Sequence, residues 1–573
     1  MRRDLVLVLG LVVLFLGLRL PGLDSRLPHA PEPDGKLVHQ ASIEAERGKY
    51  PFIWVSALSA SGQMDPRPLD GAASVEERLA DARRPFRTGR LLVLLACAAG
   101  LVATWALGRR LLSPRAALFA AALVAVGPVW TLYGMQARPH ALAAGISACA
   151  VVACAGLVQR PTLLRHVVAA GTVALACSTF HTGLFTLVPY LLALVCVRPS
   201  GRSLAVTLVG VTAAASLSLW SYASDPELDI TPGLSRTEKR YGEQVAVERA
   251  DETFRISGHA IYPELIDGGG LEPLGELLRS CDPVLGVLAP LGLLLAFASM
   301  VRPGRRTRAS APEIATILSF PAATLIVLGA YSGSLERFFV PLFPFLALAA
   351  ARAMQPLLER SRALAIGSSM LVLALPLATS ARLTYLRMQP DSAEVMADWI
   401  GSNLETDAGP ILSLTLEDLP LLTRDVPKRV RKDAVSWRNH QAAHAAPTGD
   451  QPVYDFSLLH WRFPARVSRS DKPGRTAKEI LDEHRPRYAI LSVDGIRTER
   501  WVDRDPPTRF ERAVTARDGR LLFRVDPVRE DAKGRRGVST YLGRSAIRNL
   551  WSVDRLGPPL ELWELDAYTQ DER

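Results

Sequence analysis

The chain has 573 residues, of which 49% are hydrophobic and 22% charged, and its formal net charge is +10. A chain of this length is too long for one hydrophobic core, so more than one domain is expected. Its positive charge lies mainly in short gaps between apolar segments, which is typical of a membrane protein. Because no concentrated basic patch remains to be explained, no nucleic acid partner is implied.

Apolar runs recur up to about Thr379 and predict about eleven membrane-spanning helices. We expect them at Leu5 to Leu20, Leu91 to Leu107, Ala116 to Tyr133, Ala141 to Val158, Leu164 to Phe180, Gly183 to Val197, Leu204 to Tyr222, Val284 to Val301, Ile314 to Tyr331, Phe338 to Met354 and Leu364 to Thr379. Several are shorter than the roughly 20 residues that cross a bilayer upright, so neighbouring helices are expected to shield their ends.

Arginines fill alternate gaps between these spans. The basic gaps hold Arg109, Arg110 and Arg115, then Arg160 and Arg165, Arg198 and Arg202, Arg302 to Arg308, and Arg352 to Arg362. Since Lys and Arg in short loops stay on the cytoplasmic side, we predict a plasma (inner) membrane protein with a cytoplasmic N-terminus and an extracytoplasmic C-terminal tail. The first span is interpreted as an uncleaved anchor, with a signal peptide as the alternative.

Two outer loops, residues 21–89 and 223–282, are long enough to carry structure of their own. In the first, Tyr50 to Leu58 is a short aromatic-containing apolar stretch that predicts an interfacial helix. In the second, Ser235 to Phe254 is highly charged and is expected to be helical, while Asp267 to Gly270 predicts a flexible break. We therefore expect this second loop to be the part that moves.

The division into domains is predicted at residues 1–383 and 384–573. The tail opens with an amphipathic helix, Ser392 to Leu404. Strand-like runs follow at Ile411 to Leu416, Tyr488 to Val493, Leu521 to Val525 and Leu560 to Leu565. These elements predict an extracytoplasmic α/β domain. It has no phosphate-loop or dinucleotide spacing, so no catalytic role is assigned to it. It also contains no cysteine, so it must fold without disulfides.

The sequence Pro31-Glu32-Pro33-Asp34-Gly35 places two carboxylates on a proline-stiffened stretch at the outer membrane face. Such a pair suits a general base or a cation site, and an ordinary solvated acidic turn is the alternative. A metal site formed by Glu32, Asp34 and a histidine is left open, because no fixed ligand spacing supports it.

Arg138 and Arg337 lie in short outer gaps and so oppose the charge bias of the loops. They either bind an anionic group or extend to the lipid headgroups, where Arg337 could also pair with Glu336. The histidines His140 and His181 are at outer helix ends and could donate hydrogen bonds to phosphate, although an interfacial histidine is more often satisfied by water. His259, in the second outer loop, is a weaker candidate.

Four motifs occur in a characteristic order: Pro33-Asp34, Tyr50-Pro51, Tyr133-x4-Arg138-Pro139-His140-Ala-Leu142, and Arg337-Phe-Phe-Val-Pro-Leu-Phe-Pro344. In this order the chain resembles membrane glycosyltransferases of the GT-C superfamily, particularly the family 39-like group related to protein O-mannosyltransferases and lipid A aminoarabinose transferases. The resemblance covers the part up to about Thr379. The sequence Ala397-Asp398-Trp399-Ile400 is similar to the soluble domain that many such bacterial enzymes carry.

The resemblance implies a polytopic, GT-C-like helical membrane protein that transfers a sugar, with inversion, from a polyprenyl phosphate to an acceptor outside the membrane. Asp34 would be the catalytic base and Glu32 its helper, although Gly35 replaces an acidic residue found in many relatives. The donor phosphate would be bound by Arg138, Arg337, His140, His181 and Lys36. The implied partners are the polyprenyl-phosphate sugar, an acceptor that is a protein, lipid or glycan, and the bilayer.

Two other classes of protein fit part of the pattern. A transporter or flippase of lipid-linked sugars would also need outward arginines, but the candidate charges cluster at one face and no inverted repeat is evident. A non-catalytic envelope scaffold would use the tail to recruit partners. Replacing Asp34 by Asn separates these classes, since a scaffold should tolerate the change and an Asp34-based transferase should not.

Overall fold

The structure is a computed structural model that describes residues 2–27, 54, 57, 75–197, 205, 209, 212, 254–256, 259–261, 265–301, 309–406, 408–414, 419–421, 456–458, 481, 485–492, 519–532 and 547–565. The helices are α1 (Arg2–Gly17), α2 (Val75–Leu111), α3 (Pro114–Val126), α4 (Pro128–Tyr133), α5 (Pro139–Gln159), α6 (Leu163–Cys177), α7 (Leu187–Val197), α8 (Glu272–Cys281), α9 (Pro283–Val301), α10 (Ala311–Ala330), α11 (Phe343–Arg360), α12 (Arg362–Met388), α13 (Ser392–Asn403) and α14 (Ile547–Leu550). The strands are β1 (Phe254–Ile256), β2 (His259–Ile261), β3 (Ile411–Leu414), β4 (Phe456–Leu458), β5 (Tyr488–Ser492), β6 (Arg520–Val525) and β7 (Leu560–Glu564).

The apolar runs form helices, and the chain is a multi-pass membrane protein. In the described part, six helices are long and apolar enough to cross a membrane, and four shorter apolar helices accompany them. Nine of the predicted spans coincide with one apolar helical segment each, and the tenth, Ala116 to Tyr133, coincides with two helices. The remaining one, Leu204 to Tyr222, lies outside the described residues apart from three isolated positions, so the total of eleven stays a prediction.

Described residues in or beside several basic gaps meet at one end of the helical bundle, which we call the basic end. Here Arg109, at the end of α2, pairs with Asp4 near the start of α1 at 2.9 Å. Arg110 pairs with Glu313 at the start of α10. The gaps that the structure describes therefore alternate between the two ends of the bundle, as the arginine pattern predicts. The gaps that hold the candidate residues lie at the opposite end, the site end.

The predicted span Ala116 to Tyr133 is not one helix, because Pro128 breaks it into α3 and α4. A break inside the bundle exposes carbonyl oxygens that need donors. The guanidinium of Arg19 donates to the carbonyl oxygens of Ala125 (2.8 Å) and Gly127 (3.1 Å). The hydroxyl of Ser380 donates to the carbonyl oxygen of Val126 (2.7 Å). The break is thus hydrogen-bonded, and α4 leads directly to the site end.

The outer loops are described in part. Of the predicted interfacial helix Tyr50 to Leu58, only Trp54 and Ala57 belong to the described residues. The predicted helix Ser235 to Phe254 lies outside them except for its last residue, which begins β1. Strands β1 and β2 form an antiparallel pair that the sequence analysis did not predict.

The stretch Asp267 to Gly270 is a packed turn, so the expectation of a flexible break is wrong. Gly268 has a φ of 84°, which glycine adopts without strain, and the Asp267 carboxylate accepts the Gly269 N–H at 2.8 Å. A Cβ added at Gly270 would lie 1.9 Å from the carbonyl oxygen of Leu328, near the end of α10. The glycines allow close backbone packing here, which a loop-composition argument cannot distinguish from flexibility.

The tail is an α/β unit with a five-stranded sheet in the order β4-β3-β5-β7-β6. Strand β3 is parallel to β4 and β5, whereas β7 is antiparallel to β5 and β6. Helix α13 covers the sheet, and its Trp399 stacks on Phe523 of β6 at 4.9 Å. The four predicted strands are confirmed, and β4 was missed. The short helix α14 packs against α12, so the tail rests on the bundle. The proposed boundary at residue 383 falls within α12 and stays a prediction.

Candidate functional site

The turn between α4 and α5 contributes two of the candidate residues. Arg138 precedes Pro139, and its backbone is extended (φ −130°, ψ 146°) because a residue before proline is disfavoured in helical conformation. Pro139 then begins α5, where its missing N–H is not needed. His140 follows in the first turn of the helix. The sequence Arg-Pro-His thus places a cation and an imidazole together at the N-terminus of α5.

Two short 3-10 helices contribute the other candidates. Phe180 is extended (φ −165°, ψ 156°) and is followed by the 3-10 helix His181–Thr186. Arg337 and Phe338 lie at the start of the 3-10 helix Glu336–Leu342, which leads into α11. Both turns are at the site end, and the Glu336–Leu342 segment packs against α5.

Aromatic contacts join these three turns. The His140 ring meets Phe180 edge-on with centroids 4.5 Å apart, and Phe180 lies 3.9 Å from His181. His181 in turn meets Phe338 edge-on at 4.8 Å. The guanidinium carbon of Arg337 lies 5.5 Å from the centroid of the Phe338 ring. We call these residues, together with Arg138, the site cluster.

The two arginines also have a common neighbour. Arg138, Arg337 and Glu336 all lie near enough to the Tyr133 hydroxyl to interact with it electrostatically. Arg138 is 7% exposed and His140 3%, whereas Arg337 and His181 are partly exposed. Cationic groups that are shielded from water in this way attract an anion more strongly than surface arginines do.

Other predicted residues lie outside the described part of the chain. Glu32, Asp34 and Lys36 are among them, so their roles stay predictions. His259 is in β2, and its backbone alone is described. Among the described residues, no group of three or more His, Cys, Asp or Glu side chains is arranged to hold a metal ion.

Several residues at the site end were not among the candidates predicted from the sequence. Phe180 and Phe338 contact the rings of the histidines. Phe338 belongs to the motif that begins at Arg337, but it was not itself predicted as a site residue. Arg19 and Arg387 were also missed, because Arg19 ends an apolar run and Arg387 follows the last one. The Arg387 guanidinium donates to the carbonyl oxygen of Thr131 at 2.9 Å. A charged residue in or beside an apolar run was the signal that could have found both arginines.

The chain was compared with known proteins. No protein-family model and no curated protein matches it in sequence. Among solved structures, it is similar to the oligosaccharyltransferase of Archaeoglobus fulgidus in the apo form, at 11% identity and a TM-score of 0.46, over 98% of this chain and 88% of that one. It is also similar to ArnT from Cupriavidus metallidurans in the apo state, at 13% identity and a TM-score of 0.44, over 85% of this chain and 93% of that one.

A further similarity is to the arabinofuranosyltransferase AftD from Mycobacteria, at 14% identity and a TM-score of 0.41, over 99% of this chain and 42% of that one. Since the TM-scores are 0.46 or lower, these likenesses assign no substrate and no site residue to this chain.

Proposed function

We propose that the chain is a glycosyltransferase that moves a sugar, with inversion, from a polyprenyl-phosphate donor to a protein, lipid or glycan acceptor at the extracytoplasmic membrane face. One observation carries the proposal. His140, His181 and Arg337 come from three separate turns and meet around Phe180 and Phe338 at the site end of the bundle, and Arg138 shares the neighbour Tyr133 with Arg337.

The site cluster suits a lipid phosphate. The phosphate of the donor gains charge when the sugar leaves, and partly buried arginines and histidines stabilise that charge. They lie at the edge of the apolar bundle, where a phosphate headgroup would be located while its prenyl chain stays in the bilayer. A transporter that only moves lipid-linked sugars across the membrane would need such groups near the middle of the bundle instead.

The proposed reaction is a single displacement. The oxygen of the acceptor hydroxyl attacks the anomeric carbon of the sugar, and the bond between this carbon and the phosphate oxygen breaks. The bonding pair leaves with the polyprenyl phosphate, which the site cluster and Lys36 bind. Asp34 accepts the proton of the hydroxyl, and Glu32 assists it. These roles of Asp34, Glu32 and Lys36 rest on the sequence motifs.

The test compares cell-envelope lipids, glycans and proteins by mass analysis in cells with and without the gene. We expect a lipid-linked sugar to accumulate and one modification to disappear in its absence. Asp34→Asn should lower the rate of modification by roughly 10² to 10⁴-fold, as expected for the loss of a general base. The exposed tail carboxylate Asp531, changed to Asn, is the matched control and should retain full activity. An envelope unchanged by deletion contradicts the proposed function.

A further inference from the structure

The chain that leaves α1 is fixed at several points where the first outer loop begins. The hydroxyl of Thr384, in α12, donates to the carbonyl oxygen of Leu18. Arg90, in α2, donates to the carbonyl oxygens of Leu23 and Ser25, the latter at 3.0 Å. Gly22 lies so close to α12 that an added Cβ would be 3.1 Å from Cβ of Arg387. Residues 18–27 therefore form a fixed support, which we call the loop base.

The last fixed point of the loop base comes from the tail. The Arg26 guanidinium pairs with the Oδ2 atom of Asp391, and both side chains are 3% exposed. Arg26 has a φ of 61°, which is uncommon for a residue other than glycine. A backbone in this region persists where the surrounding contacts impose it. The ion pair with Asp391 is a buried contact that helps to hold the Arg26 side chain in this place.

Asp391 itself is fixed by the tail. Its Oδ1 atom accepts the backbone N–H groups of Ala393 (2.8 Å) and Glu394 (2.9 Å), and Glu394 accepts the N–H of Asp391 (2.8 Å). This is a capping box at the start of α13. The two carboxylate oxygens thus have separate partners. Oδ1 accepts N–H groups in the first turn of α13, and Oδ2 pairs with the Arg26 guanidinium.

The surroundings of Asp391 are also tied to the bundle. The N–H of Ser392 donates to the carbonyl oxygen of Leu556 at 3.0 Å. Arg382, in α12, donates to the carbonyl oxygens of Val553 and, at 3.5 Å, Leu550. The tail therefore offers Arg26 a rigid partner. A buried ion pair recovers little of the cost of desolvating two charges, so its use here is better explained by geometry than by stability.

We infer that Arg26 and Asp391 are positioning residues through which the tail sets where the first outer loop departs from the bundle. This inference rests on the proposed function, because the loop carries the proposed base Asp34. Asp34 follows Leu27 by seven positions and so lies within about 25 Å of it. If the loop base moves, the region of space within which Asp34 can lie therefore moves with it. The α/β tail, to which the sequence assigns no catalytic role, is then part of the catalytic unit.

The test is a double-mutant cycle in the full-length protein with Arg26→Gln, Asp391→Asn and both changes together. Asn at position 391 keeps the helix cap while removing the charge. We expect each single variant to lower the rate of envelope modification, per inserted molecule, by about ten- to a hundredfold. The double variant should be less impaired than either, because no buried charge is left without its partner. Arg520→Gln, which breaks an exposed ion pair with Glu564 on the sheet, is the control and should have no effect.

Two further measurements separate positioning from stability. Binding of undecaprenyl phosphate to the purified variants should be unchanged, since the site cluster is not altered. Spin labels at Ser25→Cys and Glu405→Cys, with Cys196→Ser to remove the exposed native thiol, should give one narrow distance distribution that broadens in each single variant. This last readout needs no substrate, so it remains decisive if the deletion experiment contradicts the proposed function.

Three outcomes would overturn the inference. The first is a wild-type rate of modification in both single variants. The second is a joint loss of modification and of undecaprenyl phosphate binding, which would indicate a general collapse of the site end. The third is an unchanged spin-label distribution. If Asp34→Asn stays active while the cycle behaves as expected, the role of Asp34 fails and the positioning pair stands.

Discussion

Two pairs of arginines lie at the site end, and their described surroundings differ. Arg19 and Arg387 direct their guanidinium groups at backbone carbonyl oxygens on either side of the break between α3 and α4. They thus complete the hydrogen bonding of the bundle. Arg138 and Arg337 instead accompany the histidine and phenylalanine rings of the site cluster. The second pair is therefore the one to test for anion binding.

Replacing Arg337 by Lys tests whether it binds phosphate or extends to the headgroups. A guanidinium donates two parallel hydrogen bonds to phosphate and an ammonium group does not, so affinity for undecaprenyl phosphate should fall about tenfold. Either side chain reaches headgroups equally well. The measurement is a titration of the purified full-length protein, with Arg138→Lys as a companion and Arg279→Lys, exposed on α8, as the control. Unchanged affinity in both site variants would favour the headgroup explanation.

Glu394 gives the tail a defined pH dependence. Burial and, next, the nearby Asp391 carboxylate raise the pKa of Glu394 above its ordinary value of 4.5. The unfolded chain therefore loses this proton at lower pH than the folded one, and stability falls as pH rises from 4.5 through the raised pKa. Glu394→Gln, which keeps the capping box, should melt at higher temperature than wild type at alkaline pH, and the two should converge in acid. Exposed Glu405→Gln should show no such difference. A lower melting temperature for Glu394→Gln at alkaline pH would contradict this explanation.

At the scale of elements, helices and strands with a regular hydrophobic pattern could be predicted from the sequence. The turns and the short strand that interrupt this pattern could not. Long apolar runs predicted the helices, and alternating or apolar short runs predicted four strands. Strand β4, Phe-Ser-Leu, is too short to carry a pattern of its own and is fixed by pairing with β3. The turn at Gly268 to Gly270 was misjudged because its order comes from contacts with α10, which is distant in sequence.

Gly270 and Gly275 provide a matched pair for testing that turn. An added methyl group at Gly270 would lie 1.9 Å from the Leu328 carbonyl oxygen and 2.4 Å from that of Tyr331. Gly270→Ala should therefore displace the turn, lower the melting temperature and weaken undecaprenyl phosphate binding, because Tyr331 leads toward Arg337. Gly275, inside α8, has nothing within 4 Å, so Gly275→Ala should stabilise the helix by about 0.5–1 kcal/mol. Equal effects of the two changes on the melting temperature would show that the turn accommodates the added methyl group at little cost in free energy.

At the scale of the whole molecule, the sequence predicted which residues share one end of the bundle but not which of them touch. Loop charges fix the side of each gap, so Arg138, His140, His181 and Arg337 could be assigned to one face. The contact of His140 and His181 with Phe180, and of His181 with Phe338, depends on the packing of helices and turns, including that of α5 against the segment Glu336–Leu342. Such packing joins parts of the chain that are far apart in sequence, and single-sequence patterns carry no information on it.

The same charges predict the orientation of the whole molecule in the membrane. Arg160 is exposed at the basic end and Glu405 is exposed in the tail, so cysteines at these positions report opposite sides. Five of the six native cysteines are not exposed, and Cys196→Ser removes the sixth. In intact cells, a membrane-impermeant maleimide should label Glu405→Cys, whereas Arg160→Cys should react only after permeabilisation, because basic loops are retained in the cytoplasm. The opposite labelling would place the site cluster inside the cell, where an extracytoplasmic acceptor could not reach it.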